Sequence, residues 1–281
     1  MPRPVSRAAL LLLAALAAPG QAVAAQEPSA PSVGADPIRP DAPSPRPYLS
    51  EATAPDTVAI LPAPPASHSA GENADKVMFG ATRARQGGAR WALAAADVAE
   101  GSAAILDNLA CVLGTRIDTK RVPTLVTLLD RARVDIANAT RAPKVHYRRL
   151  RPFVGNDQPI CVQRTQKLAD SYSYPSGHSS QGWTYALIMA SLVPQKATAI
   201  LQRGRLYGES RVVCGVHWLS DVEAGRTNGA AVYAALQGDA GFRADLEKAR
   251  AELSRAMAEP SAQPPAETCA REAAAALEPA L

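Results

Sequence analysis

Three short stretches of this chain place imidazoles, guanidiniums and hydroxyls at spacings that could handle a phosphate. The run from Ser210 to Asp221 holds Arg211, His217 and Asp221. His217 and Asp221 are four apart, which puts both on one face if a helix carries them. The carboxylate could then accept a hydrogen bond from one imidazole nitrogen and leave the other free as a nucleophile. Cys214 and Gly215 lie between Arg211 and His217, and a break there would swing the arginine back towards the imidazole. Taken alone, the stretch could also be a structural arginine beside a surface His–Asp pair.

The second stretch is Pro175, Ser176, Gly177 and His178, leading into the apolar run Trp183 to Leu192. Ser176 and Gly177 at a helix N-terminus would offer a hydroxyl and an N–H to an anion, with the dipole adding to both. His178 at the mouth of that site could donate a proton to a departing oxygen; an N-cap followed by a surface histidine is the plainer alternative. In the third stretch, Lys144 and Arg151 are seven apart, about two helical turns, and Pro152 is expected to end their helix at Arg151. An arginine fork and a lysine point charge suit a dianion, although Arg148 and Arg149 also allow a solvated basic face. Each stretch has a bland reading, but together they supply a nucleophile, a proton donor and a set of oxyanion ligands.

The elements that must position these residues read as helices. Ala- and Leu-rich periodicity predicts helices over 75–84, 88–112, 122–141 and 143–151, then 178–192, 195–212, 217–236 and 239–258, with Pro123 and Pro143 near helix starts. Residues 152–175 read as a loop, and no alternating strand pattern is present, so the fold class is all-α. Residues 26–66 are rich in Pro, Ala and Ser and are expected to be extended or disordered. The tail after Pro260 is expected to fray unless Cys269 pins it. His68 and His146 are read as non-catalytic.

The chain has 281 residues, 47% hydrophobic and 20% charged, with a formal net charge of +4. That balance is compatible with an anionic small molecule, and with 5% aromatic residues it does not resemble a nucleic-acid surface. Arg3 and Arg7 precede the apolar run Ala8–Ala18 and the site Ala22-Val23-Ala24, the pattern of a secretory signal peptide. The run is shorter than the roughly twenty residues of a membrane span, so export without membrane insertion is expected. Cys111, Cys161, Cys214 and Cys269 form an even set without C-x-x-C spacing, which suits disulfides rather than zinc. Three pairings are possible. Cys161 and Cys214 flank candidate site residues, which favours that pair and leaves Cys111 with Cys269.

Lys144-x6-Arg151-Pro152, Pro175-Ser176-Gly177-His178 and Ser210-Arg211-x5-His217-x3-Asp221 resemble the three-part signature of the type 2 phosphatidic acid phosphatase (PAP2) superfamily. Tyr147-x-Arg149-x-Arg151-Pro152-Phe153, Ser173-Tyr174 before the second motif and Val212 to Trp218 resemble the class A bacterial non-specific acid phosphatases. So do Tyr48-Leu49, Pro55-Asp56 and Ile60 to Pro65, with Ala63 where the family tends to have proline. The resemblance covers about residues 48–258. It implies a single helical domain, placed at 67–258; the signal peptide (1–24), the leader (25–66) and the flexible tail (259–281) are read from composition, and the Pro-rich insert at 26–47 and the tail have no family counterpart. It also implies a phosphomonoesterase of broad specificity, with His217 as nucleophile, Asp221 orienting it and His178 as acid and base. Lys144, Arg151, Ser176, Gly177 and Arg211 would hold the phosphate, with no metal and no cofactor. An ordinary imidazole titrates near pH 6.5, so activity should favour acidic pH. Inorganic phosphate or vanadate would inhibit, and family members are often homo-oligomeric, which leaves a homodimer open. The alternative from another reaction class is a vanadate-dependent haloperoxidase using the same anion site.

Overall fold

Helix α8 (Gly177–Leu192) carries eleven buried residues spread around its circumference, from Ser179 and Ser180 to Met189 and Leu192. A helix without a solvated face has to be surrounded. Three helices do this: α6 (Pro123–Tyr147), α9 (Ala197–Val213) and α10 (Leu219–Gly238). Small residues set how near they come. A Cβ on Gly204 of α9 would stand 2.3 Å from the Ala186 Cβ, and one on Gly225 of α10 would stand 2.7 Å from the Ser176 carbonyl oxygen. Beyond α6 lies α11 (Ala240–Ala258), and the main core forms where Leu125, Leu128, Leu129 and Ile136 meet Tyr185, Ile188, Phe242, Leu246 and Leu253. Fully burying each such side chain contributes about 2 kcal/mol.

The computed structural model describes Met1, residues 45–260 and residues 262–278; among them there are twelve α-helices and no strand. Residues 2–24 of the expected signal peptide and the leader as far as residue 44 lie outside the described residues. No described helix is long and apolar enough to cross a membrane.

Several expected boundaries move. Residues 45–66 are an ordered strap rather than a disordered leader. The Tyr48 and Leu49 N–H groups both donate to the buried Asp135 carboxylate at 3.0 Å, the Arg131 guanidinium lies 3.5 Å from the centre of the Tyr48 ring, and the short α1 (Thr57–Ile60) is capped by Asp56. The first helix runs from Ala70 to Arg83 (α2) rather than 75–84. The expected helix 88–112 is three pieces, α3 (Ala89–Ala96), α4 (Ser102–Asn108) and α5 (Ala110–Leu113). Asp97 ends α3 and turns its carboxylate onto Arg203 (2.5 Å) and Ser210 (2.6 Å), while Gly101 at φ +99° lets the chain re-enter a helix.

The expected helices 122–141 and 143–151 are one, with Pro143 inside α6. That helix closes at Tyr147 on Arg148 at φ +47°, so Arg151 lies beyond it and does not share its face with Lys144. The expected loop 152–175 contains α7 (Gln166–Asp170), and the tail contains α12 (Ala266–Leu277). Cys269 does pin the tail: disulfides join Cys111 to Cys269 and Cys161 to Cys214, as favoured from the sequence.

The close approach of α8 and α9 predicts opposite signs for two glycine substitutions. Gly204→Ala overpacks the contact and is expected to cost about 1–3 kcal/mol, lowering Tm by several degrees. Gly80→Ala in α2, where a Cβ meets nothing within 4 Å, is expected to hold or raise Tm. Thermal melts followed by circular dichroism read both.

Candidate active site

Every candidate residue lies at or near the end of a helix, where the chain leaves regular structure. Lys144 is in the last turn of α6 and Arg151 follows in the coil beyond it. Ser176 is the N-cap of α8, with Gly177 and His178 its first two residues. Arg211 is in the last turn of α9, and His217 and Asp221 straddle the start of α10. His217 is therefore not on a helix with Asp221. It precedes the N-cap residue Trp218, and the pair still meets at 3.3 Å because Asp221 turns back to accept the Trp218 N–H at 2.8 Å. Gly215 at φ +80° makes the turn between Arg211 and His217, with the Arg83 guanidinium seated where a Cβ would be, 2.3 Å away. Arg83 donates to the Val212 and Val213 carbonyls and so satisfies the end of α9. The Cys161–Cys214 disulfide ties the long loop to the same turn.

The partners of His217 fix its tautomer. Nε2 is 3.0 Å from Nη1 of Arg151, which can only donate, so Nε2 carries a lone pair. Nδ1 faces Asp221 Oδ2 and the Ser173 hydroxyl, both at 3.3 Å, and carries the proton. Burial, then the charges of Arg151, Lys144, Arg211 and His178, hold the imidazole well below its ordinary value, so it is neutral. Asp221 is fully buried and accepts from Ser173 at 2.5 Å, from Arg149 at 2.7 Å and from the Trp218 N–H. Burial raises its carboxyl above the usual range, against the opposing pull of Arg149 and these hydrogen bonds.

Three cations act on the ring, with Arg151 in contact with Nε2. Lys144 Nζ donates to the carbonyls of Tyr172 and Ser173; burial and then the Arg151 charge lower its ammonium to about 7, with Asp221 opposing. Arg151 donates to the Ser171 and Val216 carbonyls at 2.7 Å, and burial lowers it to about 10. Arg211 is buried, yet its Nε and Nη1 have no hydrogen-bond acceptor in the protein. An unpaired buried guanidinium is costly, and an oxyanion would satisfy it. Ser176 spends its oxygen on the cap, accepting from the Ser179 N–H at 3.2 Å and the Ser179 hydroxyl at 2.9 Å, while its own proton remains to donate. The first-turn N–H groups of α8 lack intrahelical partners by construction. Among the described residues no group of three or more His, Cys, Asp or Glu converges as a metal site.

His178 faces the other way, towards the loop between α3 and α4. Its Nδ1 is 2.5 Å from Glu100 Oε1, its Nε2 is 3.1 Å from the Val98 carbonyl, and its ring stacks on Tyr207. Glu100 did not emerge from the sequence, because the break in 88–112 that presents it was read as continuous helix. For Arg149 the sequence leaves a solvated basic face open as an alternative. The residue instead bridges Asp221 to the buried Asp75 (2.6 Å), and Asp75 also holds Ser220. Arg149 and Ser173 had a signal in the spacing of their motifs; Asp75 had none. His68 and His146 take no part.

The scaffold is all-helical, and the site sets a neutral, oriented imidazole among cations. Residues 126–238 match the PAP2 superfamily. The chain is 45% identical over 203 residues to an acid phosphatase of Zymomonas mobilis subsp. mobilis, covering 72% of this chain and 76% of that protein. Two further relatives are non-specific acid phosphatases. One, from Providencia stuartii, is 34% identical (74% of this chain, 85% of that protein); the other, from Salmonella typhimurium, is 35% identical (69% and 78%). The chain belongs to the PAP2 superfamily, in its non-specific acid phosphatase branch.

The lowered Lys144 gives the site a pH dependence that can be read without turnover. Sulfate stays dianionic across neutral pH, so its affinity should be flat below pH about 7. Above that it should fall by about tenfold per unit as the ammonium is lost. Lys144→Arg, charged throughout, should flatten the fall; isothermal titration between pH 6 and 9 measures it. Arg211→Met, which removes a buried unpaired charge, should leave Tm unchanged or higher while sulfate binding weakens at least about tenfold.

Proposed function

We propose that the chain is an exported, periplasmic acid phosphatase that hydrolyses phosphomonoesters of broad range through a phosphohistidine on His217, without a metal. The observation that carries this reading is the lone pair on His217 Nε2, held among Lys144, Arg151 and the unpaired Arg211. A phosphoryl group entering there would have its oxygens bound by Lys144, Arg151, Arg211, the Ser176 hydroxyl and the Gly177 N–H, where transition-state charge gathers. His217 Nε2 attacks phosphorus, the bond to the bridging oxygen breaks, and His178 gives that oxygen its proton. Asp221 holds the Nδ1 proton and stabilises the charge that develops on the ring. His178, now neutral, takes a proton from water as the hydroxide attacks the phosphohistidine, releasing phosphate and restoring both rings. The cations neutralise the developing charge, so EDTA should leave turnover unaffected. The names of the relatives support the substrate class. The N-terminal charge and apolar pattern supports export, with cleavage after Ala24.

His217→Ala is expected to lower phosphate release from p-nitrophenyl phosphate by at least about 10³-fold and to abolish acid-labile labelling from a ³²P-labelled phosphomonoester. Turnover near the unmodified rate, or labelling retained at another residue, would show that His217 is not the nucleophile.

A further inference from the structure

We infer that Glu100 is the positioning residue of the proton donor, holding His178 as an imidazolium through Nδ1 so that Nε2 delivers the proton. The inference rests on the role proposed for His178 and goes beyond it, since no motif contains Glu100. Two contacts carry it. The Glu100 carboxylate accepts from His178 Nδ1 at 2.5 Å, and the Val98 carbonyl accepts from Nε2 at 3.1 Å. A carbonyl can only accept, and an ionised carboxylate can only accept, so both ring nitrogens must carry hydrogen. Neutral imidazole satisfies one of these partners; imidazolium satisfies both.

Glu100 is presented by a fixed loop rather than a free one. Asp97, at its start, is bound by Arg203 and Ser210, and the Ala99 carbonyl accepts from the Tyr207 hydroxyl at 3.1 Å. The His178 ring stacks on that same tyrosine at 5.6 Å. The Glu100 side chain is about half exposed; partial desolvation opposes its ionisation, but His178, Arg211 and Arg133 hold its carboxyl below the usual carboxylate range, so it is an anion near neutral pH. The charged and titratable groups around the pair are thus Arg211 and Tyr207 from α9, Arg133 from α6, and His217 before α10. Among these groups Glu100 is the one anion in contact with the His178 ring. Of the two contacts the neutral carbonyl is the weaker. The bridging ester oxygen replaces Val98 as the partner of Nε2 and receives that proton as the P–O bond breaks. The ring is left neutral, with Nδ1–H still on Glu100 and a lone pair on Nε2 to take a proton from water.

The test compares Glu100→Gln, Glu100→Asp and His178→Ala on two monoesters, an alkyl phosphate whose leaving group needs a proton and 2,4-dinitrophenyl phosphate whose leaving group does not. Glu100→Gln keeps an acceptor and removes the charge. It is expected to lower kcat on the alkyl ester roughly tenfold, a fraction of what a general acid contributes, and to lower it much less on the activated ester. The alkaline limb of its pH profile should move to lower pH, because an imidazolium without its carboxylate gives up its proton earlier. Glu100→Asp should recover part of both effects, with sulfate affinity and Tm unchanged throughout. Equal losses on both esters, an unmoved alkaline limb, or a fall in KM with faster turnover, as for a carboxylate that competes with substrate, would each overturn the inference. If His178→Ala itself shows no dependence on the leaving group, the role of His178 fails; if it does and Glu100→Gln does not, only Glu100 fails.

Discussion

Lys144, Arg151 and Arg211 are taken out of water around a single imidazole, and burial lowers the proton affinity of each of them. Isolated buried charges of one sign repel and are poorly solvated, so this arrangement persists only if the surrounding structure over-determines it. The means are visible in the hydrogen bonds. Lys144 and Arg151 are tethered by backbone carbonyls of residues 171–173 and by Val216, which supply partial negative charge without adding a competing carboxylate. Arg211 has no such tether on Nε and Nη1. The site is thus left electrostatically incomplete, in the direction that a tetrahedral anion would complete.

Holding helix ends against that repulsion needs a scaffold that cannot relax, which is what the packing around α8 provides. With Gly204 and Gly225 at the contacts, α9 and α10 approach α8 backbone to backbone, and a displacement of either end would be resisted along the whole helix. The link between Asp75, Arg149 and Asp221 does the same for the histidine. Asp75 fixes Arg149 and Ser220, Arg149 fixes Asp221, and Asp221 fixes both the start of α10 and the Nδ1 proton of His217. The strap at residues 45–66 reaches the same region, since the Tyr174 hydroxyl beside the second motif donates to the Pro62 carbonyl.

The sequence disclosed residue types better than it disclosed boundaries. Gly215 was readable as a turn because only glycine takes φ +80° without strain. The three motifs named all eight candidate residues, which the structure gathers at neighbouring helix ends. The expected geometry failed where local rules were overruled. Pro152 suggested that a helix ends at Arg151, but Arg148 in the left-handed region had already closed α6. Pro143, read as a start, sits within α6. The Ala-rich run 88–112 has helical propensity throughout; tertiary demand breaks it, because Asp97 is worth more paired with Arg203 and Ser210 than as a helical surface residue. That break hid Glu100. What Arg149 holds could not be read from its motif, because its partner Asp75 is 74 positions away.

Two neighbouring histidines can divide acid and nucleophile only if their surroundings differ, and the partners of their ring nitrogens do differ here. His217 is buried among cations, and its Nε2 faces a donor-only guanidinium, so protonation is penalised twice. At His178, by contrast, both nitrogens face acceptors and one of those is a carboxylate. On the proposed reading, the first ring keeps a lone pair ready for phosphorus while the second keeps a proton ready for the leaving oxygen, at the same pH. The asymmetry does not come from the three motifs, which contain both histidines but neither Glu100 nor Val98. It comes from the loop between α3 and α4, so the division of labour depends on a segment whose sequence carries no catalytic signature of its own.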